Sequence, residues 1–84
     1  MISQLTGKII SSDEKSLIVD VNGVGYQVFC SLKTLLELKN SNETITILTE
    51  FIVREDSQSL FGFSDHLEKK WFNLLISVQG VGAK

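Results

Sequence analysis

The sequence predicts a mainly β fold: a five-stranded barrel with a short helix between the third and fourth strands, followed by a C-terminal α-helix. The first observation is that apolar and polar residues alternate through most of residues 1–63, which is the period of a half-buried strand. The second is that residues 31–40 and the segment after residue 63 change to helical spacing. The third is size, because 84 residues suffice for one small domain.

Three strands come first, joined by two polar turns. They are predicted over residues 2–12, 17–21 and 25–30. Gly7 lies inside the first strand, where glycine permits the bend or bulge that a closing barrel needs. Asp13-Glu14-Lys15 forms the first turn, and Asn22-Gly23 is a strong hairpin signal because both residues tolerate positive φ.

A helical connector and two further strands complete the predicted barrel. Ser31 is the expected N-cap of the connector. The leucines on one side of this short helix are Leu32, Leu35, Leu36 and Leu38. Strands follow over 44–53 and 59–63, with a charged loop over 54–58. This order fits the Greek-key barrel of the OB type, although a generic five-stranded sheet or an SH3-like barrel fits the pattern as well.

The C-terminal segment has helical spacing from Ser64 onward. Ser64 or Asp65 is expected to cap this helix, and Asp65 with Glu68 has the spacing of a capping box. The apolar residues that recur every three or four positions form one stripe: Leu67, Trp71, Leu74, Leu75 and Val78. We expect the helix to end before Gly80, because glycine commonly follows a helix C-terminus.

The charge balance alone does not indicate a nucleic-acid partner. The chain carries a net charge of −2, with five basic and eight acidic residues in 1–63 and three basic and two acidic residues in 64–84. Nucleic-acid binders usually carry an excess of lysine and arginine. The N-terminus lacks a signal-peptide pattern, and no apolar run approaches the roughly 20 residues of a membrane helix. We therefore expect a cytoplasmic protein without a membrane partner.

The sequence offers little for catalysis. His66 is the only histidine and Cys30 the only cysteine, so neither has a partner in a metal-ligand spacing. We expect His66 to be a solvated helix residue and Cys30 to be a buried, inert thiol. A phosphate loop ending in GKS or GKT is also missing. We therefore expect no catalytic residue, no metal site and no cofactor.

Two motifs are candidates for a binding role. Glu55 and Asp56 are adjacent carboxylates in the predicted charged loop; the plain interpretation is a solvated polar loop. Gly80-Val81-Gly82 follows a helix, and such a turn can aim backbone N–H groups at a phosphate, with Lys84 adding a charge. A simple helix C-cap explains the same glycines.

Three blocks of the sequence resemble signature blocks of the RuvA family, in the same order and at the same distances. The first is residues 21–26, Val-Asn-Gly-Val-Gly-Tyr. The second is residues 53–56, Val-Arg-Glu-Asp, followed by Leu-Phe-Gly-Phe at 60–63. The third is residues 80–84, Gly-Val-Gly-Ala-Lys. The similarity extends over the whole chain and includes the opening residues.

The resemblance implies a non-catalytic subunit that binds four-way junction DNA as a homotetramer. It implies an OB-fold domain over 1–63 and the truncated start of a helix-hairpin-helix domain over 64–84. Glu55 and Asp56 would form an acidic pin at the junction centre. The DNA-backbone hairpin would comprise Gly80, Val81, Gly82 and Lys84. Partners of the family are the RuvB ATPase motor of the branch-migration complex and the RuvC resolvase.

Two departures from the family pattern occur within the matched sequence. Ala83 replaces a proline that is usual in the hairpin of the family; we expect this change to make the loop less rigid and to leave its amides available. Ser3 stands where many members have glycine, with no evident consequence. An alternative function also stays open: the barrel could serve only in tetramerisation, with DNA held by domains outside this chain.

Overall fold

The computed structural model describes residues 1–79, with side chains through Ile76. Its elements are β1 (Gln4–Ser12), β2 (Ser16–Val21), β3 (Val24–Cys30), α1 (Leu32–Leu38), β4 (Ile45–Arg54), β5 (Ser57–Phe63) and α2 (His66–Gln79). The strands form a closed barrel in the order β1-β2-β3-β5-β4. This order and the helix between β3 and β4 are those of the OB fold, so the predicted fold class is confirmed.

The pairing of β3 with β5 is parallel, whereas every other pairing among the described strands is antiparallel. Val28 lies opposite Leu60, and Cys30 lies opposite Gly62. Parallel strands begin at one end of a sheet and finish at the other. The turns that precede β3 and β5 therefore share one end of the barrel, and the helices that follow these strands share the opposite end.

The core fills the barrel interior with side chains from all five strands and one from α1. Its buried cluster consists of Leu5, Leu17, Val19, Val28, Leu35, Ile47 and Leu60. The predicted leucine face of α1 was wrong in part, because Leu32 and Leu36 are exposed. This seven-residue helix sits across one end of the barrel and buries only Thr34 and Leu35. Ser31 is its N-cap as predicted, and its Oγ accepts from the Thr34 N–H at 3.3 Å.

The two polar turns adopt the conformations that their residues favour. Asn22 and Gly23 both have positive φ, 52° and 92°, which suits the twist of a two-residue hairpin. The first turn is held by Asp13, whose Oδ1 accepts the N–H groups of Lys15 and Ser16 at 2.8 Å each. These backbone hydrogen bonds hold the pKa of Asp13 below its ordinary value.

Helix α2 packs against the barrel through a different face from the predicted apolar stripe. Four members of that stripe are exposed: Leu67, Trp71, Leu74 and Leu75; the side chain of Val78 lies outside the described residues. The face toward the barrel instead carries Phe72, whose ring lies 5.1 Å from that of Phe61 and 5.0 Å from that of Phe63. Asp65 caps the helix, because its Oδ1 accepts the Glu68 N–H at 2.8 Å.

Gly7 lies where β1 changes partners. Residues before it pair with β4, and residues after it pair with β2. A Cβ at Gly7 would overlap the backbone carbonyl of Asp20, so the close approach of β1 to β2 requires glycine. The ladder irregularity that the sequence suggests occurs slightly later, between Ile9 and Ser11.

Alanine at Gly7 is expected to destabilise the barrel. Because the obstructing atom is backbone, the strands must move apart, and we expect the free energy of unfolding to fall by about 2 kcal/mol or more. Gly25→Ala is the matched control, since its Cβ would contact only the Ile18 side chain, at 3.3 Å. Urea unfolding measures the loss of unfolding free energy in each of the two variants. Equal losses for the two variants would contradict the close-approach explanation.

Candidate nucleic-acid interface

The hairpin between β4 and β5 extends beyond the closed part of the barrel. β1 pairs with β4 only over Ile45–Leu48, and β3 pairs with β5 only from Leu60 onward. Residues 52–59 therefore pair only with each other, through Ile52–Ser59, Val53–Gln58 and Arg54–Ser57. We call residues 52–59 the acidic finger. It projects by about 10 Å at the usual rise of a strand.

Glu55 and Asp56 form the two-residue turn at the tip of the acidic finger, and both are exposed. The predicted charged loop over 54–58 was wrong in extent, because strand pairing continues to Arg54 and Ser57. Neither carboxylate has a hydrogen-bond or ion-pair partner within residues 1–79. The tip consequently presents two negative charges to solvent.

A cluster of hydrogen bonds at the opposite end of the barrel joins the beginnings of the two helices. The parallel pairing of β3 with β5 places these beginnings side by side. Glu68 Oε2 accepts from Ser31 Oγ at 2.6 Å, and Oε1 accepts from Thr34 Oγ1 at 2.7 Å. Oε1 also accepts the Ser64 N–H at 3.2 Å. One carboxylate thus connects α1, α2 and the end of β5; we call these contacts the Glu68 latch.

The Glu68 carboxylate is held in its charged form. Partial burial raises its pKa, but the hydrogen bonds from Ser31, Thr34 and Ser64, together with the charge of Lys33, lower it further, so that the net pKa lies below the ordinary value. Hydrogen bonds to an ionised acceptor are about twice as strong as neutral ones. Lys33 also pairs with Asp65 at 3.5 Å, but these side chains are 62% and 51% exposed, so that pair contributes little.

Aromatic contacts reinforce the same connection. The Phe29 and Phe61 rings lie 6.0 Å apart, and Phe72 of α2 completes the row through its contacts with Phe61 and Phe63. These separations are in the favourable range for tilted aromatic pairs. Beside this row, an apolar groove of about 540 Å³ runs between α2 and the barrel, with Trp71 among its lining residues.

The residues considered for chemistry lie apart from one another. His66 is exposed in the first turn of α2, and Cys30 is partly buried at the end of β3. Burial, and then the nearby charge of Glu68, raise the pKa of Cys30 to about 12. Residues 1–79 contain no group of three or more acidic, histidine or cysteine side chains placed to hold a metal ion. None of the described helices has the length and apolar character needed to span a membrane.

The predicted DNA-backbone hairpin, Gly80, Val81, Gly82 and Lys84, lies outside the described residues. The Glu68 latch is the feature that the sequence patterns do not predict. The spacing of Asp65 and Glu68 predicts a capping box. One of its two hydrogen bonds is present, from the Glu68 N–H to the Asp65 side chain. The Glu68 side chain instead reaches to α1. The only sign of this contact in the sequence is that Glu68 and Phe72 are four residues apart and therefore lie on the same face of α2.

The family model that describes the RuvA N-terminal domain matches residues 1–62. The chain belongs to the RuvA family. Relatives named "Holliday junction branch migration complex subunit RuvA" include those of Bradyrhizobium sp. strain ORS 278 and Neisseria meningitidis serogroup C / serotype 2a. They are 52% and 44% identical over all 84 residues of the chain, which covers 41% and 43% of their own lengths.

A third RuvA relative, from Roseobacter denitrificans, is 48% identical over the whole chain, which covers 38% of that protein. The chain therefore spans about two-fifths of the length of the curated RuvA relatives that it matches. The family model ends at the last strand of the barrel and includes the acidic finger.

Cys30 is expected to react slowly with iodoacetamide at pH 8. A thiol with a pKa of about 12 is only about one part in ten thousand thiolate at this pH, compared with about a quarter for an ordinary thiol. Mass spectrometry of the folded chain should show modification at least about 100-fold slower than in denaturant. The chain has no other cysteine to interfere. Similar rates in the folded and unfolded states would show that Cys30 is reactive.

Proposed function

We propose that the chain is the N-terminal part of a Holliday-junction-binding subunit that acts in DNA recombination and repair. In this role the whole protein holds a four-way DNA junction and recruits an ATPase motor, and it catalyses no reaction itself. The proposal rests on the RuvA family membership, on the names of the relatives and on one structural observation: a pair of exposed carboxylates, without an ion-pair partner among the described residues, at the tip of a projecting finger.

The acidic finger suits the centre of a four-way junction. DNA strands cross at that centre, and carboxylates repel phosphates over roughly a Debye length, about 10 Å at 0.1 M salt. A continuous duplex laid across Glu55 and Asp56 would bring its phosphates within that range. Four strands splayed into separate arms would leave the centre free. Negative charge at this position therefore favours the junction over linear DNA.

Positive DNA contacts are proposed to lie elsewhere in the protein. The barrel has more acidic than basic residues, so overall attraction to DNA must come from other segments. We assign backbone contacts to Gly80, Val81, Gly82 and Lys84. We treat residues 1–63 as the OB-fold domain and 64–84 as the start of a helix-hairpin-helix domain. Backbone amides at such a turn bind phosphate without needing many basic side chains.

The proposed assembly is a homotetramer that works in the cytoplasm with a RuvB-type ATPase and, in junction resolution, with a RuvC-type resolvase. A tetramer would match the four arms of the junction and would bring together four copies of Glu55 and Asp56. The alternative of an assembly module that does not touch DNA accounts for the barrel, but it gives no role to the two exposed carboxylates.

Neutralising the tip of the acidic finger should reduce selectivity for junction DNA. Glu55→Gln combined with Asp56→Asn, in the full-length protein, removes charge while leaving the size of the turn nearly unchanged. Binding to linear duplex should tighten more than binding to the junction, because duplex phosphates suffer the stronger repulsion. We expect the ratio of duplex to junction Kd at fixed salt to fall by about threefold or more, or about 0.6 kcal/mol.

The matched control removes two other negative charges. Glu14 and Glu43 are exposed and precede β2 and β4, so they lie at the end of the barrel opposite the finger. Glu14→Gln with Glu43→Gln should leave the ratio unchanged. If the ratio stayed constant in the finger variant, or fell equally in the control, the tip would be an ordinary solvated turn.

A further inference from the structure

We propose that Glu68 is a positioning residue for DNA binding: it fixes the direction of α2, and through α2 it fixes where the proposed DNA-backbone hairpin lies relative to the barrel. This inference rests on the proposed function for its consequence at the DNA. The placement of α2 itself follows from contacts within residues 1–79 and can be measured separately.

The Glu68 side chain connects separate elements and does not serve mainly as a local cap. In a capping box, a glutamate at this position bonds the N–H of the cap residue, here Asp65. Glu68 instead bonds the N–H of Ser64, one residue earlier, and the hydroxyls of Ser31 and Thr34 on α1. Asp65 caps α2 from its own side chain. The helix start is thus satisfied locally, and the Glu68 carboxylate is available to hold α2 against α1.

The donors of the latch are themselves firmly placed. Thr34 is fully buried, and Ser31 is the N-cap of α1, whose Leu35 lies in the barrel core. Both hydroxyls therefore belong to a helix that is anchored in the barrel core. A carboxylate held by two such hydroxyls and one backbone N–H cannot rotate freely about any single contact.

Phe72 supplies a second point of attachment, one turn further along α2 from Glu68. Its ring contacts Phe61 and Phe63 of β5. One attachment would let the helix pivot. Two attachments on the same face, four residues apart, fix both its tilt and its rotation. Phe72 alone would allow α2 to swing about the aromatic contact.

The length of α2 converts a small tilt into a large displacement. If α2 swings about Phe72, the seven residues that follow it within the helix span about 10 Å, so a tilt of about 10° moves the far end by about 2 Å. Hydrogen bonds to phosphate tolerate only a few tenths of an ångström. A site that must contact several arms of one junction at once therefore depends on the latch more than a site that contacts a single duplex.

The test measures the direction of α2 and DNA selectivity in the same full-length variants. Spin labels at Ser11→Cys in β1 and Asn73→Cys in α2, in a Cys30→Ala background, report the distance between barrel and helix by electron-electron double resonance. Excess unlabelled protein keeps the labels to one subunit per assembly. The variants are Glu68→Ala, Glu68→Gln and Thr34→Val, with Glu37→Gln on the exposed side of α1 as the matched control.

A positioning role predicts a graded series. Glu68→Ala should broaden the distance distribution and lower the ratio of duplex to junction Kd by about tenfold, since the hairpin can still contact one duplex but no longer aligns with several arms. Glu68→Gln keeps one acceptor oxygen. Its distance distribution and its Kd ratio should therefore lie between those of Glu68→Ala and those of the unaltered protein. Thr34→Val removes one donor at constant shape and should broaden the distribution modestly. Glu37→Gln should change neither quantity.

Other results would overturn the inference. If Glu68→Ala lowered only the thermal midpoint, with the distance distribution and the Kd ratio unchanged, Glu68 would stabilise the fold without positioning α2. If Glu68→Ala did not fold, an unchanged distribution in both Glu68→Gln and Thr34→Val would equally exclude a positioning role. A lack of junction preference in the unaltered protein would contradict the proposed function, while the distance distributions would still decide whether Glu68 directs α2.

Discussion

The parallel pairing of β3 with β5 closes the barrel and determines where its functional features lie. Because these strands run in the same direction, the acidic finger and the Asn22-Gly23 turn project from one end, and both helices begin at the other. The closure depends on close packing at Gly62, where a Cβ would come within 2.5 Å of Val28 Cγ1 and 2.6 Å of Ile47 Cδ1. A larger residue there would press on two fully buried side chains.

The separation of these features also separates their chemistry. The finger presents two carboxylates that form no ion pair within the described residues, whereas the carboxylate of Glu68 at the other end is engaged by hydrogen bonds. Carboxylates at the two ends of the barrel are thus in opposite environments. In the proposed function the finger carboxylates repel phosphates because they are unpaired, whereas Glu68 holds α2 to α1 because it is hydrogen-bonded.

Features that depend on neighbouring residues could be predicted from the sequence. The Asn22-Gly23 turn and the Ser31 cap follow from local backbone preferences, and the succession of strands along the chain follows from alternation. The exposed leucines of α1 and the Glu68 latch could not be predicted, since both depend on which elements meet across the barrel. Thr34 and Glu68 are 34 positions apart, and helical periodicity carries no information about contacts at that separation. The sequence pattern placed Glu55 and Asp56 in the loop between the last two strands, but strand pairing made their turn shorter than expected.

The most direct test of the central claim, that the acidic finger faces the centre of a four-way junction, is a structure of the intact protein bound to junction DNA by electron cryomicroscopy. We predict Glu55 and Asp56 at the point where the strands cross, with the DNA arms diverging around them and the Glu68 latch intact in each subunit. A complex in which the fingers point away from the DNA, or lie along one arm outside the crossover, would contradict the claim.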